Sequence, residues 1–454
     1  MFLPAALAGV YALSLARLPR LAIVATAIAS AIFYALYSVR LVPLLLGSVV
    51  VNYMVGTAIL RSKHRVMARR LLAIGIVFDL GLLFIFKYTR FILSTAAQIS
   101  GADLSLPDIV LPVGISFYTF TQVAYLVDCV RGRAHLYGFW DYLLFVTFFP
   151  HLVAGPILKH VPLIAQLEHK RLGVPSARRA YIGVIFFGIG LAKKVLVADS
   201  LSPFVEPIFA NVGKLSFAEA WLGALLYTFQ LYYDFSGYSE MAVGLALMLN
   251  IRIPLNFNSP YKATSIIDFW RRWHMSLSFF LKNYLYIPLG GNRVSKPRHY
   301  FNLFTTMALG GIWHGAGWTF IIWGALHGLY LTINHAFREL GLRLPRPLAW
   351  PLTFIAVVIA WVFFRAKTAQ DALVILSAMS GLQGFDFQFT VTTAASSACG
   401  AVAILIAWVV TMPNTQQLAI RKEPSLLLAL LVAGLVLASI MRLSTPSEFL
   451  YFQF

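Results

Sequence analysis

The chain has 454 residues, 59% of them hydrophobic and 12% charged, with 36 Lys and Arg against 17 Asp and Glu for a net charge of +19; its mean hydropathy is +0.77. Soluble domains carry about 25% charged residues, so this composition excludes an ordinary globule, a disordered chain and a fibrous protein. The apolar runs, such as 21–37, are long and continuous, which selects membrane helices over the short alternating strands of a barrel.

Windows of about 20 residues place candidate membrane segments at 3–17, 21–38, 41–59, 71–97, 109–128, 140–158, 179–196, 218–249, 301–337, 349–364, 393–412 and 425–441. The expected fold is therefore all-α: a polytopic helical membrane protein of roughly 11–12 membrane segments, re-entrant pieces included. The absence of a linker or internal repeat points to one integral membrane domain over 1–454, and no removable signal peptide is expected. Cys129 and Cys399 lie in or beside apolar runs without metal spacing, so packing is their expected role.

Loop charge sets the orientation. Residues 61–70, 131–133 and 169–179 are basic and should face the cytoplasm, while 97–108 and 197–217 should lie outside. Segment 140–158 then begins and ends on one side, so it is either re-entrant or misbounded. The positive charge fits loops beside an anionic leaflet, with membrane lipid as partner and no nucleic acid.

The 252–300 stretch is the longest break in hydropathy, with eight basic residues against the single acid Asp268 and many aromatics. An amphipathic anchor on the cytoplasmic surface would have this composition. Anchoring does not require the insertion His274-Met275-Ser276-Leu277-Ser278 or the turn Gly290-Gly291-Asn292-Arg293, so a functional site is weighed beside it. Arg271, Arg272 and Arg293, with Lys296 and Arg298, could meet the phosphates of a donor or lipid headgroups, and Trp273 and His274 could line the donor's path.

Segment 301–337 would extend about 55 Å as one helix, against a hydrocarbon core of about 30 Å. It offers a break at Gly310, Gly311, Gly315 and Gly317, which surround Trp313 and His314. Ionisable groups inside membrane segments are costly and usually functional. A histidine in a glycine-lined break can deprotonate an attacking hydroxyl, and backbone N–H groups of a restarting helix can hold an oxyanion. A buried histidine bonded to a carbonyl is the bland alternative for His314. For His327 and His335 packing is favoured, since His327 falls about 220° from His314 on a straight helix. Within 218–249, Asp234 sits near Tyr227 and Tyr238 by helical spacing and is either satisfied packing or part of a site lining, whereas Gly310, Gly311, Gly315 and Gly317 are expected to line the site and leave room for the substrate's reacting end. No Walker loop, serine triad order, HExxH or zinc spacing is present, so no metal ligands are assigned.

Several long motifs, LPVGISFYTFTQVAYLVD (111–128), FFPHLVAGPI (148–157), YYDFSGYSEMAVGLA (232–246), NFNSPY (256–261), DFWRRWHMSLSFFLKNYLYIPLGGNR (268–293), GGIWHGAGWTFIIWGALHG (310–328), WVFFRA (361–366), PNTQQ (413–417) and FLYFQF (449–454), run across nearly the whole chain. Together they resemble the membrane-bound O-acyltransferase family, in its bacterial alginate O-acetyltransferase branch. The resemblance implies a helical fold around a transmembrane tunnel, with His314 at the family's catalytic histidine and His274 at a second functional histidine. It further implies a cytoplasmic acyl thioester, with acetyl-CoA as donor substrate and no permanently bound cofactor. The acyl group would pass toward an exported polysaccharide such as alginate or cellulose, or a periplasmic acetyltransferase partner. A more distant branch handles D-alanine for teichoic acid. The implied location is the bacterial inner membrane. A transporter or flippase of a lipid-linked sugar is the alternative class, and such proteins commonly show inverted repeats.

The orientation has a direct test. Ser295→Cys should react with a membrane-impermeant maleimide only from the cytoplasmic side; labelling from the outside alone would invert the topology.

Overall fold

The computed structural model describes residues 2–103, 106–392, 394–421, 425–443 and 450; all but Leu450 of the 449–454 motif lies outside them. The helices in chain order are α1 (Phe2–Leu15), α2 (Pro19–Tyr37), α3 (Val42–Arg61), α4 (Arg65–Leu83), α5 (Thr89–Ser100), α6 (Ile115–Val130), α7 (Phe139–Thr147), α8 (His160–Glu168), α9 (Ala177–Ala192) and α10 (Asp199–Ala210). They continue as α11 (Phe217–Met248), α12 (Ile266–Trp270), α13 (Met275–Phe280), α14 (Lys296–His314), α15 (Trp318–Glu339), α16 (Arg346–Arg365), α17 (Ala369–Met379), α18 (Ala395–Thr411), α19 (Thr415–Arg421) and α20 (Leu426–Arg442). No strand occurs among the described residues. Five helical stretches, 19–37, 39–61, 65–100, 177–210 and 346–365, are long and apolar enough to cross a membrane. The fold is an all-α polytopic membrane protein.

The chain forms two compact units, one of residues 1–187 and 239–255, the other of 188–238 and 256–454. In the first unit, α3, α4 and α6 pack closely. Gly56 of α3 admits the Tyr125 ring, and Gly75 of α4 admits Leu126. The expected segment 140–158 does not cross a bilayer. It is the nine-residue α7 followed by turns, and its residues from Asp141 to Leu158 are buried. A helix of that length rises only about 13 Å. Cys129 is buried as expected, whereas Cys399 on α18 of the second unit is exposed, so packing does not account for it.

In the second unit the expected segment 301–337 breaks where its glycines stand. The polypeptide reverses at Gly315-Ala316-Gly317, and α14 and α15 form an antiparallel hairpin. Three contacts fix their register: Gly311 against Phe320 and Gly324, Gly324 against Met307, and Gly328 against Phe304. At the open end Lys296 Nζ lies 3.2 Å from Glu339 Oε2, and the Tyr300 hydroxyl donates to the same oxygen at 3.1 Å. Both interactions hold the Glu339 carboxyl below its ordinary pKa, the Lys296 contact more strongly.

Space at Gly311 is taken by protein. A Cβ there would stand 2.3 Å from the Phe320 carbonyl oxygen and 2.9 Å from Gly324 Cα, while one at Gly315 would meet the Phe320 ring at 2.2 Å. This corrects the reading of Gly311 and Gly315 as room for substrate: they let a helix and a ring approach. Overpacking a close contact costs about 1–3 kcal/mol, and a backbone neighbour cannot swing aside. Gly311→Leu should therefore lower the thermal midpoint of the purified protein sharply or prevent its accumulation. A variant with wild-type stability would refute the contact.

Candidate active site

Residues 256–281 carry the aromatic motifs, and they fold as short helices and turns with most side chains buried. This departs from a surface anchor helix. Phe269 stacks on Trp273 at 5.6 Å, Trp273 meets Trp361 of α16 at 4.9 Å, and Trp361 stacks on Trp323 of α15 at 5.7 Å. Such contacts add to the large area each ring buries. Trp273, 3% exposed, belongs to this core.

Two histidines meet at the stack's edge. His314 ends α14 and is buried, its ring 4.9 Å from Trp313, 4.9 Å from Trp323 and 5.4 Å from Phe364. His274 is fully buried, 4.8 Å from the Phe235 ring. The two imidazole centroids are 6.3 Å apart. Among the described residues, neither ring nitrogen of His274 has a hydrogen-bond partner. A buried polar group left in this state is uncommon and calls for an explanation such as a catalytic role, a ligand or water.

The backbone at His274 is also unusual, with φ +41° and ψ +56°. A non-glycine residue in this left-handed region costs about 1–2 kcal/mol and persists only when its surroundings over-determine it. The neighbouring segment does so. Met275 N donates to Asn256 O at 2.9 Å, Ser276 Oγ to Asn256 Oδ1 at 2.6 Å, and Asn258 N to Arg272 O at 2.9 Å. Asn414 in turn donates to Asn258 Oδ1 at 2.9 Å and Ser259 Oγ at 3.0 Å. The motifs 256–261, 268–293 and 413–417 are thus one clamp around His274.

The other expected site residues have varied surroundings. Arg272 is engaged by Asp268 at 2.9 Å and by the Asn258 carbonyl at 3.3 Å. Arg271 and Arg293 are exposed. The Gly290-Gly291 turn before Arg293 needs glycine, with φ +108° and +57°, and Asn302 secures it through the Leu289 and Gly291 carbonyls, both at 3.1 Å. Asp234 is buried and paired with Lys194 at 2.8 Å, which also reaches Asp199 at 2.7 Å. Lys194 lies in a π-helical turn, Lys193–Ala198, and was missed from the sequence although it is a lysine within an apolar run. His327 Nδ1 accepts from Trp270 Nε1 at 3.3 Å, its Nε2 has no partner among the described residues, and Trp323 lies between it and His314, 4.9 Å from each. The straight-helix angle between the two histidines does not apply, because they stand on different helices.

The family model for MBOAT, the membrane-bound O-acyltransferase family, matches residues 31–368. The chain belongs to the membrane-bound O-acyltransferase family. It is 45% identical over 386 residues to a peptidoglycan O-acetyltransferase of Helicobacter pylori, covering 79% of this chain and 73% of that protein. It is 45% identical over 389 residues to a protein of Pseudomonas aeruginosa named "Probable alginate O-acetylase AlgI", covering 84% and 73%. A protein of the same name from Pseudomonas putida is 38% identical over 488 residues, covering 100% and 98%. This membrane-bound O-acyltransferase is accordingly an enzyme of acyl transfer, and the transporter alternative gives way to that membership.

The clamp makes a distinction between substitutions at His274. Glycine suits φ +41° and alanine does not. His274→Gly should be more stable than His274→Ala by about 1 kcal/mol, as read by thermal unfolding, while both lose the imidazole. Equal stability, or a more stable alanine variant, would remove the strain argument.

Proposed function

We propose that the chain transfers an acetyl group from cytoplasmic acetyl-CoA toward hydroxyls of an exported polysaccharide, across the bacterial inner membrane, directly or through a periplasmic acetyltransferase partner. The observation that carries this reading is the pair of buried imidazoles, 6.3 Å apart in an aromatic shell. The names of the relatives, O-acetylases of peptidoglycan and alginate, support acetyl as the group and polysaccharide as the acceptor.

In this reading His314 is the general base. Its imidazole takes the proton of the attacking hydroxyl, the oxygen bonds to the thioester carbonyl carbon, and the C–S bond breaks. The thiolate that leaves is protonated, and the ester remains on the acceptor. His274 serves the same centre from the donor side, with ring nitrogens that protein does not occupy. Arg271 and Arg293 are exposed cations that would meet the donor's phosphates, since a nucleotide is too charged to enter the hydrocarbon core.

General-base loss typically costs about 100- to 10,000-fold. His314→Ala should reduce transfer of labelled acetyl from acetyl-CoA by that range at normal protein level and stability. Turnover within tenfold of wild type would remove His314 from this role.

A further inference from the structure

The motif 111–128 brings polar side chains into the interior of the first unit. Val55 and Asn52 of α3 lie against Gly75 and Asp79 of α4, so these helices run antiparallel. Ser48 and Gly56 of α3 meet Gln122 and Tyr125 of α6, so that pair runs parallel. Gly75 also meets Leu126. Asp79, one turn beyond Gly75, therefore stands level with Gln122, one turn before Leu126. Ser48, Asn52, Asp79 and Gln122 converge at one depth, none more than 2% exposed.

The hydrogen bonds among these four residues leave a surplus of acceptors, beside the Tyr118 and Tyr142 hydroxyls, which are also buried without a partner and lie close enough to Asp79 to feel its charge. Asn52 Nδ2 donates to Asp79 Oδ1 at 2.7 Å and to Ser48 O at 3.1 Å, and Gln122 Nε2 donates to Ser48 Oγ at 2.9 Å. Asp79 Oδ2, Asn52 Oδ1 and Gln122 Oε1 are buried without a partner. All three are acceptors, and among the described residues Asp79 pairs with no basic side chain. An uncompensated carboxylate at membrane depth costs several kcal/mol, so such groups are paired or hold an ion. A proton on Asp79 would cancel the charge and donate to one of the other two oxygens, leaving the rest to the neighbouring tyrosine hydroxyls, and is the competing occupant that the test separates. Water would supply donors but no charge. A cation answers both demands, and one carboxylate among neutral oxygens balances a single positive charge. Oxygen-only ligands suit hard cations.

We propose that Ser48, Asn52, Asp79 and Gln122 form a buried binding site for a monovalent alkali cation that ties α3, α4 and α6 together. The proposal does not rest on the acyl-transfer reading.

The test uses the full-length protein in detergent at constant pH and ionic strength, with sodium or potassium chloride exchanged for choline chloride. Thermal unfolding of the wild type should rise saturably with sodium or potassium. Asp79→Asn should abolish the dependence, and Gln122→Leu should raise the half-saturating concentration at least tenfold. Identical midpoints in all three salts would overturn the site, as would a dependence retained in Asp79→Asn. Stabilisation that follows falling pH and ignores the cation would assign Asp79 to a proton instead. Should Asp79→Asn fail to accumulate, equilibrium binding of radioactive sodium to the wild type decides: less than one ion displaceable by excess unlabelled sodium per chain contradicts the proposal.

Discussion

The candidate active site of the second unit depends on the approach of two helix backbones. Gly311 and Gly324 bring α14 and α15 into contact where any side chain would collide, and this sets the level at which the hairpin turns. His314 is the last residue before that turn. Its position therefore follows from helix packing. Small residues in this role are usual where lipid removes the hydrophobic drive between helices and close packing must supply it. Phe320 then fills the space beside Gly315, so the turn is closed by a ring.

On this frame, aromatic packing and backbone strain complete the centre. Trp323 touches both His314 and His327, and stacks on Trp361, which reaches Trp273. The residue after Trp273 is His274, held in a left-handed conformation by Asn256 and its neighbours. Sites that must hold a group in one orientation commonly store strain in this way. An apolar aromatic shell also strengthens electrostatic interactions within it, which suits a reaction that moves a proton and develops an oxyanion.

Much of this was legible in the sequence. Continuous apolar runs gave the helices, and four glycines around one histidine gave the break in 301–337. Glycine's purpose was not legible: absence of a side chain reads alike as room for a ligand or as room for a neighbour, and only the register of α14 on α15 distinguishes them. The burial of Trp273 was not legible for a related reason, because an aromatic beside arginines suits both an interface and a core. Segment 140–158 has the hydropathy of a span but the length of a buried short helix with turns. Lys194 carried a readable signal, a lysine in an apolar run. The clamp of Asn256 and Asn414 on the His274 segment carried none, since those residues meet only in the fold.

The most direct test of a shared histidine centre is a double-substitution cycle, measured as labelled acetyl transferred from acetyl-CoA by purified His314→Ala, His274→Gly and the double variant. Groups that act as one unit show losses far from additive. The account predicts a double variant no slower than His314→Ala alone by more than a few-fold. Losses that multiply, or a His314→Ala enzyme that retains most of its turnover, would contradict a single centre built on these two residues.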